Sequence, residues 1–200
     1  MRDGRFTDKA LIEEIHAGSR TAFEKLMRRH QRLVYRVSFA YTRDRDDALE
    51  VTQDVFVKVH RKLGSYRGTG TLRSWLLRIA HRESLNWLRD HGKHRGAVEL
   101  TAATVPHSAP VQESDLLARE RQRELLAELT ELNPKQRLAV TLRYWGDVPI
   151  REIATVLGCS DGVVKNILFR SLQKLRRRLA ARWSEDDERL PLRTADPEAR

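Results

Sequence analysis

The stretch that most restricts this chain runs from residue 149 to residue 170, PIREIATVLGCSDGVVKNILFR. Ile150, Ile153, Ala154 and Leu157 fall on one helical face, and Ala154 is small where a second helix must cross closely. Gly158 stands where this first helix ends, because a residue in the left-handed region is least costly as glycine. A second helix can start at once. Ser160 suits its N-cap, and Asp161 sets a carboxylate in its first turn against the positive end of the helix dipole. Val164, Ile167 and Leu168 continue the buried face. Lys165, Asn166, Phe169 and Arg170 point elsewhere, with donors and flat apolar surface suited to base edges, thymine methyls and phosphates in a major groove. This is the spacing of a helix-turn-helix that reads duplex DNA. The competing reading is a tight helical hairpin in an ordinary all-helical protein.

Charge favours DNA. From Lys165 to Arg182 the chain carries Lys165, Arg170, Lys174, Arg176, Arg177, Arg178 and Arg182 and no acid, a run that attracts a polyanion. A solvated basic face or a membrane-surface helix would explain the run alone, but not the turn before it. The whole chain of 200 residues has a formal net charge of +10 and a pI near 10.2, which again suits an acidic partner. Its 40% hydrophobic content is enough for one or two small helical cores.

The same composition excludes several classes. The single cysteine, Cys159, rules out an internal disulfide and a Cys-rich zinc site, and it occupies a position that packs in a helix-turn-helix. No stretch approaches the roughly 18 apolar residues of a membrane span, and MRDGRFTDKA lacks the apolar core of a signal peptide. No membrane insertion and a cytoplasmic location are therefore expected. There is no GxxxxGK[ST] phosphate loop, no HExxH, and no Ser, His and Asp set brought together by the pattern. The histidines are scattered. A non-enzyme without catalytic residues, cofactor or metal is expected.

Helical periodicity runs through nearly all of the chain. Expected helices are DKALIEEIHA capped by Thr7, residues 20 to 42, Asp44 to Lys62, and Thr71 to Asp90, with a loop of three glycines, LGSYRGTG, before the last. Composition then changes: residues 91 to 114 have few large apolar residues and two prolines. A second helical block begins near Asp115, breaks at Asn133-Pro134 and runs to about Trp183. The organisation expected is a first domain at 1–92, a flexible linker at 93–114, a second domain at 115–183 and a disordered tail at 184–200.

Two segments of the first block carry chemistry of their own. Residues 61 to 95 hold nine basic residues against Glu83 and Asp90, interleaved with Tyr66, Trp75 and Trp87. Cations and aromatic faces beside a Gly-rich loop can hold unstacked single-stranded bases, although Trp75, at helical spacing from Leu76 and Ile79, belongs mostly to packing. By contrast, Asp44, Asp46, Asp47, Glu50 and Asp54 make the preceding helix acidic. Dipole complementation accounts for Asp46 and Asp47 but not for Asp54, which points to a protein partner.

The run DRDDALEVTQDVFVKVHRKL, then TLRSWLLRIAHRESLNWLR, then REIATVLGCSDGVVKNILFR, in that order and spacing, resembles an extracytoplasmic-function sigma factor of the sigma-70 family over roughly residues 7 to 180. The resemblance implies an all-α chain of two helical domains, a sigma-2-like bundle and a sigma-4-like helix-turn-helix domain, joined by a flexible linker. It implies binding of bacterial core RNA polymerase through Asp47, Glu50, Gln53, Asp54 and Phe56. Recognition and melting of the minus-10 element would fall to Tyr66, Arg67, Arg73, Trp75, Arg78, Arg82 and Asn86. Reading of the minus-35 element would fall to Arg151, Lys165, Asn166, Phe169, Arg170 and Lys174. Promoter DNA and an anti-sigma factor are the further partners implied. The chain departs from the family pattern at Leu49, Arg82, Asn86, Val163, Asn166 and Ile167, so the promoter sequence does not follow from the resemblance. The rival function is a conventional regulator that uses only the helix-turn-helix, which leaves the whole N-terminal helical block without a task.

Overall fold

A computed structural model describes residues 7–66, 68, 70–91 and 124–180. The linker expected at 93–114, the tail expected at 184–200, the start of the second block near Asp115, and Arg67 lie outside the described residues. All of the regular structure described is helical. The first block is α1 (Asp8–His16), α2 (Arg20–Thr42), α3 (Arg45–Lys62), a 3-10 turn at Leu63–Ser65, and α4 (Leu72–His91). The second is a helical segment at 124–130, here α5, then α6 (Pro134–Val140) running into a π-helical turn at Thr141–Trp145, α7 (Ile150–Leu157) and α8 (Asp161–Ala180).

Short polar side chains decide where the helices start. Thr7 Oγ1 accepts the Ala10 N–H at 3.2 Å, and Ser19 Oγ accepts the Ala22 N–H at 3.3 Å. Asp44 and Thr71, expected as first helical residues, are caps instead. Asp44 Oδ1 accepts the N–H groups of Asp46 and Asp47, and Thr71 Oγ1 accepts that of Ser74, since a side-chain acceptor there satisfies amides that the helix leaves unpaired. At Asn133-Pro134 the structure has a full capping box, with Gln136 reaching back to the Asn133 N–H and proline at the first helical position.

Helices α2, α3 and α4 pack around Leu26, Val34, Val37, Val51, Val55, Leu76 and Leu77, and α1 lays Leu11 on the same core. In the second block Leu138, Leu142, Val148, Ile153, Val164 and Leu175 are equally buried. The two cores join into one apolar cluster. Helix α4 lies along α7, and α2 lies against α6 and the π turn.

One buried cation ties these parts together. Arg137 donates from Nε to the Leu129 carbonyl at 2.9 Å, from Nη2 to those of Thr130 and Leu132 at 2.9 and 2.7 Å, and from Nη1 to that of Ala40 at 2.8 Å. The acceptors lie at or just beyond the C-terminal ends of α5 and α2, where the carbonyls carry the negative end of the helix dipole. Burial, with the Arg43 charge behind it, draws the Arg137 pKa down to about 10, so the group stays cationic at neutral pH.

Two outcomes are expected. Arg137→Met strands several buried carbonyls and should lower unfolding stability by about 3 kcal/mol or more in urea titration; a change under about 0.5 kcal/mol would contradict this role. His81, with its Nδ1 2.7 Å from the Tyr41 hydroxyl, has its pKa held below 6.5, first by burial and then by Lys135. The unfolded chain therefore takes up a proton at His81 as pH falls through about 6.5 while the folded chain resists it. Stability present above that pH is lost below it, and the melting temperature of His81→Gln should fall less than that of the wild type between about pH 7.5 and about pH 5.5.

Candidate DNA and polymerase interfaces

Helix α7 ends where the sequence placed its end. Gly158 has φ 63° and ψ 41°, and the Cys159 N–H returns to the Ala154 carbonyl at 3.0 Å, closing the turn. Ser160 Oγ then accepts the Val163 N–H at 3.4 Å and opens α8. Ile153, Ala154, Leu157, Val164 and Leu168 are buried between the two helices, and Ile167 and Cys159 pack at the edge of that core. What remains outside is the expected set. Lys165, Asn166, Phe169 and Arg170 are all exposed and span about 140° of the α8 circumference. Phe169, 62% exposed, is a large aromatic face left mostly uncovered by the described residues. Arg151 is exposed on α7. Lys174 is different: it is half-buried, and its ammonium donates to the Glu131 carbonyl, which ties α8 to the end of α5.

On α3 the expected residues divide between two sides. Glu50, Gln53 and Asp54 are exposed and Asp47 is half-buried, with Asp47, Glu50 and Asp54 within about 60° of one another. Val57, 50% exposed, extends this surface. Phe56 lies on the opposite side of the helix and is only 4% exposed. It forms the floor of a groove of about 340 Å³ between α2 and α3, lined also by Phe23, Met27, Gln53, Val57, His60 and Arg61. Phe56, a candidate through the resemblance alone, stands at i+4 from Thr52 and i−3 from Val59 on the buried stripe of α3, so its burial follows from helical periodicity.

Helix α4 sorts its cations by the same rule. Trp75, Arg78, Arg82 and Asn86 fall within about 80° of one another, with Arg78 and Arg82 exposed. Tyr66 joins them, its ring 5.4 Å from that of Trp75, and its hydroxyl donates to the Gly70 carbonyl at 3.0 Å, folding the Gly-rich loop onto itself. Gly68 and Gly70 adopt φ of 73° and 82°, which a side chain would resist. Trp75 is half-buried, consistent with a mainly packing role plus an exposed edge. Arg73 stands about 160° away from Trp75. It pairs instead with Glu152 on α7, Nε to Oε2 and Nη2 to Oε1, both at 3.0 Å.

Three residues of this arrangement escaped the sequence reading. Arg36, which donates to the Trp145 carbonyl, Arg137 and Glu152 all make contacts between elements far apart in the chain. Glu152, in the first turn of α7, reads locally as a dipole complement, and nothing in the local pattern separates Arg36 or Arg137 from a surface arginine. Among the described residues no group of three His, Cys, Asp or Glu is placed to hold a metal ion, and no helix is long and apolar enough to cross a membrane.

Comparison with known proteins bears on the two helical blocks as wholes. The family model for sigma-70 region 2 matches residues 26–94, and that for sigma-70 region 4 matches residues 122–175, together more than half of the chain. The chain is similar to the ECF RNA polymerase sigma-E factor of Haemophilus influenzae, 27% identical over 88% of this chain and 96% of that protein. It is similar also to the RNA polymerase sigma-H factor of Pseudomonas aeruginosa, at 28% over 84% of this chain and 91% of that one. Among solved structures, CnrH in complex with the cytosolic domain of CnrY matches with a TM-score of 0.66 at 24% identity, covering 87% of this chain and 97% of that one. The sigma factor RpoE in complex with the anti-sigma factor NepR, from Bartonella quintana, matches with a TM-score of 0.65 at 20% identity, covering 78% and 96%. These two show the fold, all-α with two helical domains. With both regional models matched in order on the two helical blocks, the chain belongs to the extracytoplasmic-function group of the sigma-70 family.

Proposed function

We propose that this chain is a promoter-specificity subunit of bacterial RNA polymerase, which binds the core enzyme through α3 and reads two promoter elements through α4 and α8. Membership of the sigma-70 family supports the reading, and the observation that carries it is the presence on one chain of two separate helix faces with exposed arginines, Arg78 and Arg82 on α4 and Arg170 beside Lys165 on α8. A conventional regulator needs only the one on α8. The exposed Glu50, Gln53 and Asp54, with half-buried Asp47 beside them, present acid and amide groups to polymerase, with Phe56 supporting them from beneath. Tyr66, Arg67, Trp75, Arg78, Arg82 and Asn86 receive the minus-10 strand. Cations hold its phosphates while aromatic faces accept unstacked bases, so melting draws on binding energy and needs no catalytic group. Lys165, Asn166, Phe169 and Arg170 enter the minus-35 major groove, with Arg151 and Lys174 at its flanks.

Such a protein is not an enzyme and works in the cytoplasm beside polymerase. The domains proposed are residues 1–92 and 115–183. An anti-sigma factor is the regulatory partner that fits a member of this group.

Separable losses test the assignment. Arg170→Ala should weaken binding to a minus-35 duplex by about tenfold to a hundredfold in fluorescence anisotropy, with core polymerase association unchanged. Gln53→Ala with Asp54→Ala should do the reverse, lowering co-elution with core polymerase and sparing duplex binding. Loss of both activities in either variant would contradict the division of labour.

A further inference from the structure

We infer that the acidic run Glu185, Asp186, Asp187 and Glu188 folds back on the exposed basic face of α8 and screens it, so that duplex DNA must displace the chain's own carboxylates. The contact rests on charge and reach within this chain, whereas what it controls rests on the reading of α8 as the minus-35 helix.

The exposed face of α8 is longer than the part assigned to the major groove. Gln173, Arg176 and Arg177 are exposed and fall inside the same arc of about 140° as Lys165, Asn166, Phe169 and Arg170. At ~1.5 Å per residue, Arg176 and Arg177 stand ~16–18 Å along the axis from Lys165, more than the ~12 Å width of a major groove. A helix that lays its first half against base edges therefore carries these two guanidinium groups past them. Cations on the neighbouring side of α8 are already engaged. Arg178 pairs with Glu128 of α5 and with Glu131 just after it, and the Lys174 ammonium donates to the Glu131 carbonyl. Among the described residues, no carboxylate pairs with Lys165, Arg170, Arg176 or Arg177.

The sequence places carboxylates within reach. Residues 185–188 read EDDE, whereas Lys165 to Arg182 contains no acid at all. These acids lie five to eight positions past Ala180, a stretch that extends at most ~16–26 Å. Measured back from Ala180, Arg177 and Arg176 lie ~5–6 Å along the α8 axis, Arg170 ~15 Å and Lys165 ~22 Å. The run can therefore lie antiparallel to α8 and bring carboxylates to these cations. It then offers the face what a duplex offers, a line of closely spaced negative charge. Each solvent-exposed pair is weak by itself. Attachment a few residues away, however, holds the run at an effective concentration on the order of millimolar. The contact forms in the free chain and gives way to a duplex. Because it must leave for any DNA that takes the whole face, it lowers affinity for every sequence by the same factor and leaves discrimination to the base contacts.

Two measurements on the full chain test this. A nitroxide at Leu190→Cys, in a Cys159→Ser background, should broaden the amide signals of Phe169, Arg170 and Gln173 at about 50 mM salt. The broadening should vanish when Glu185→Gln, Asp186→Asn, Asp187→Asn and Glu188→Gln are introduced together, and when salt is raised to about 0.5 M. Broadening confined to the last turn of α8, or unchanged by the four amides, would overturn the contact. The second measurement is fluorescence anisotropy with a labelled duplex of arbitrary sequence, about 30 base pairs long. At about 50 mM salt the four amides should raise affinity about threefold to tenfold, and they should steepen its fall with salt, since the wild-type run takes counterions back when DNA displaces it. The gain should shrink in an Arg176→Ala, Arg177→Ala background, which simple repulsion between the acids and DNA would not produce. A gain of the same size there, or none in the wild-type background, would overturn the screening. Failure of every one of these proteins to bind duplex removes the DNA-reading role of α8 instead, and the broadening still decides the contact.

Discussion

The guanidinium of Arg137 is the interaction on which the rest of the arrangement depends. Four of its donors meet carbonyls at the ends of two helices, α5 and α2, that come from different blocks of the chain. Those carbonyls gain a charged donor there, the Leu129 carbonyl in addition to the Leu132 N–H it already accepts, and the cation would otherwise be buried without acceptors. The resulting geometry fixes where α6 begins its course against α2. From there the π turn, α7 and α8 follow in a short, tightly capped succession. The helix-turn-helix is thus presented from a rigid support, with its apolar faces consumed by packing and its polar arc left outside.

Function in this chain is a matter of which side of a helix a residue occupies. On α8 the buried side is aliphatic and the free side carries Lys165, Asn166, Phe169 and Arg170. On α4 the free side carries Arg78 and Arg82, with the tilted ring pair of Trp75 and Tyr66 at its edge, while Arg73 turns to the opposite block. On α3 the acids face outward and Phe56 faces inward. All three surfaces are outer faces of helices. Each offers charge, flat apolar area or hydrogen-bond donors, the means by which proteins hold nucleic acid and one another.

Much of this was legible in the sequence because it is local. The Gly158 turn, the Asn133-Pro134 start and the apolar stripes depend on residues within a few positions of one another, and the structure keeps all of them. Phe56 and Arg73 were harder. Both are of the right type in the right segment, and only the packing of neighbouring helices decides that one is buried and the other ion-paired. Arg36, Arg137 and Glu152 were not legible at all. Their partners lie tens of residues away in the chain, and a lone charged residue on a helix carries no sign of a distant carbonyl or carboxylate.

Run-off transcription tests the sigma-factor function most directly, with purified bacterial core polymerase and a library of promoter fragments, with and without this protein. Specific start sites that occur only when the protein is added, each preceded by a shared pair of upstream elements, are the result expected of a sigma factor. Core polymerase that gains no specific starts, while the protein still shifts duplex DNA, would contradict it and leave a conventional DNA-binding regulator in its place.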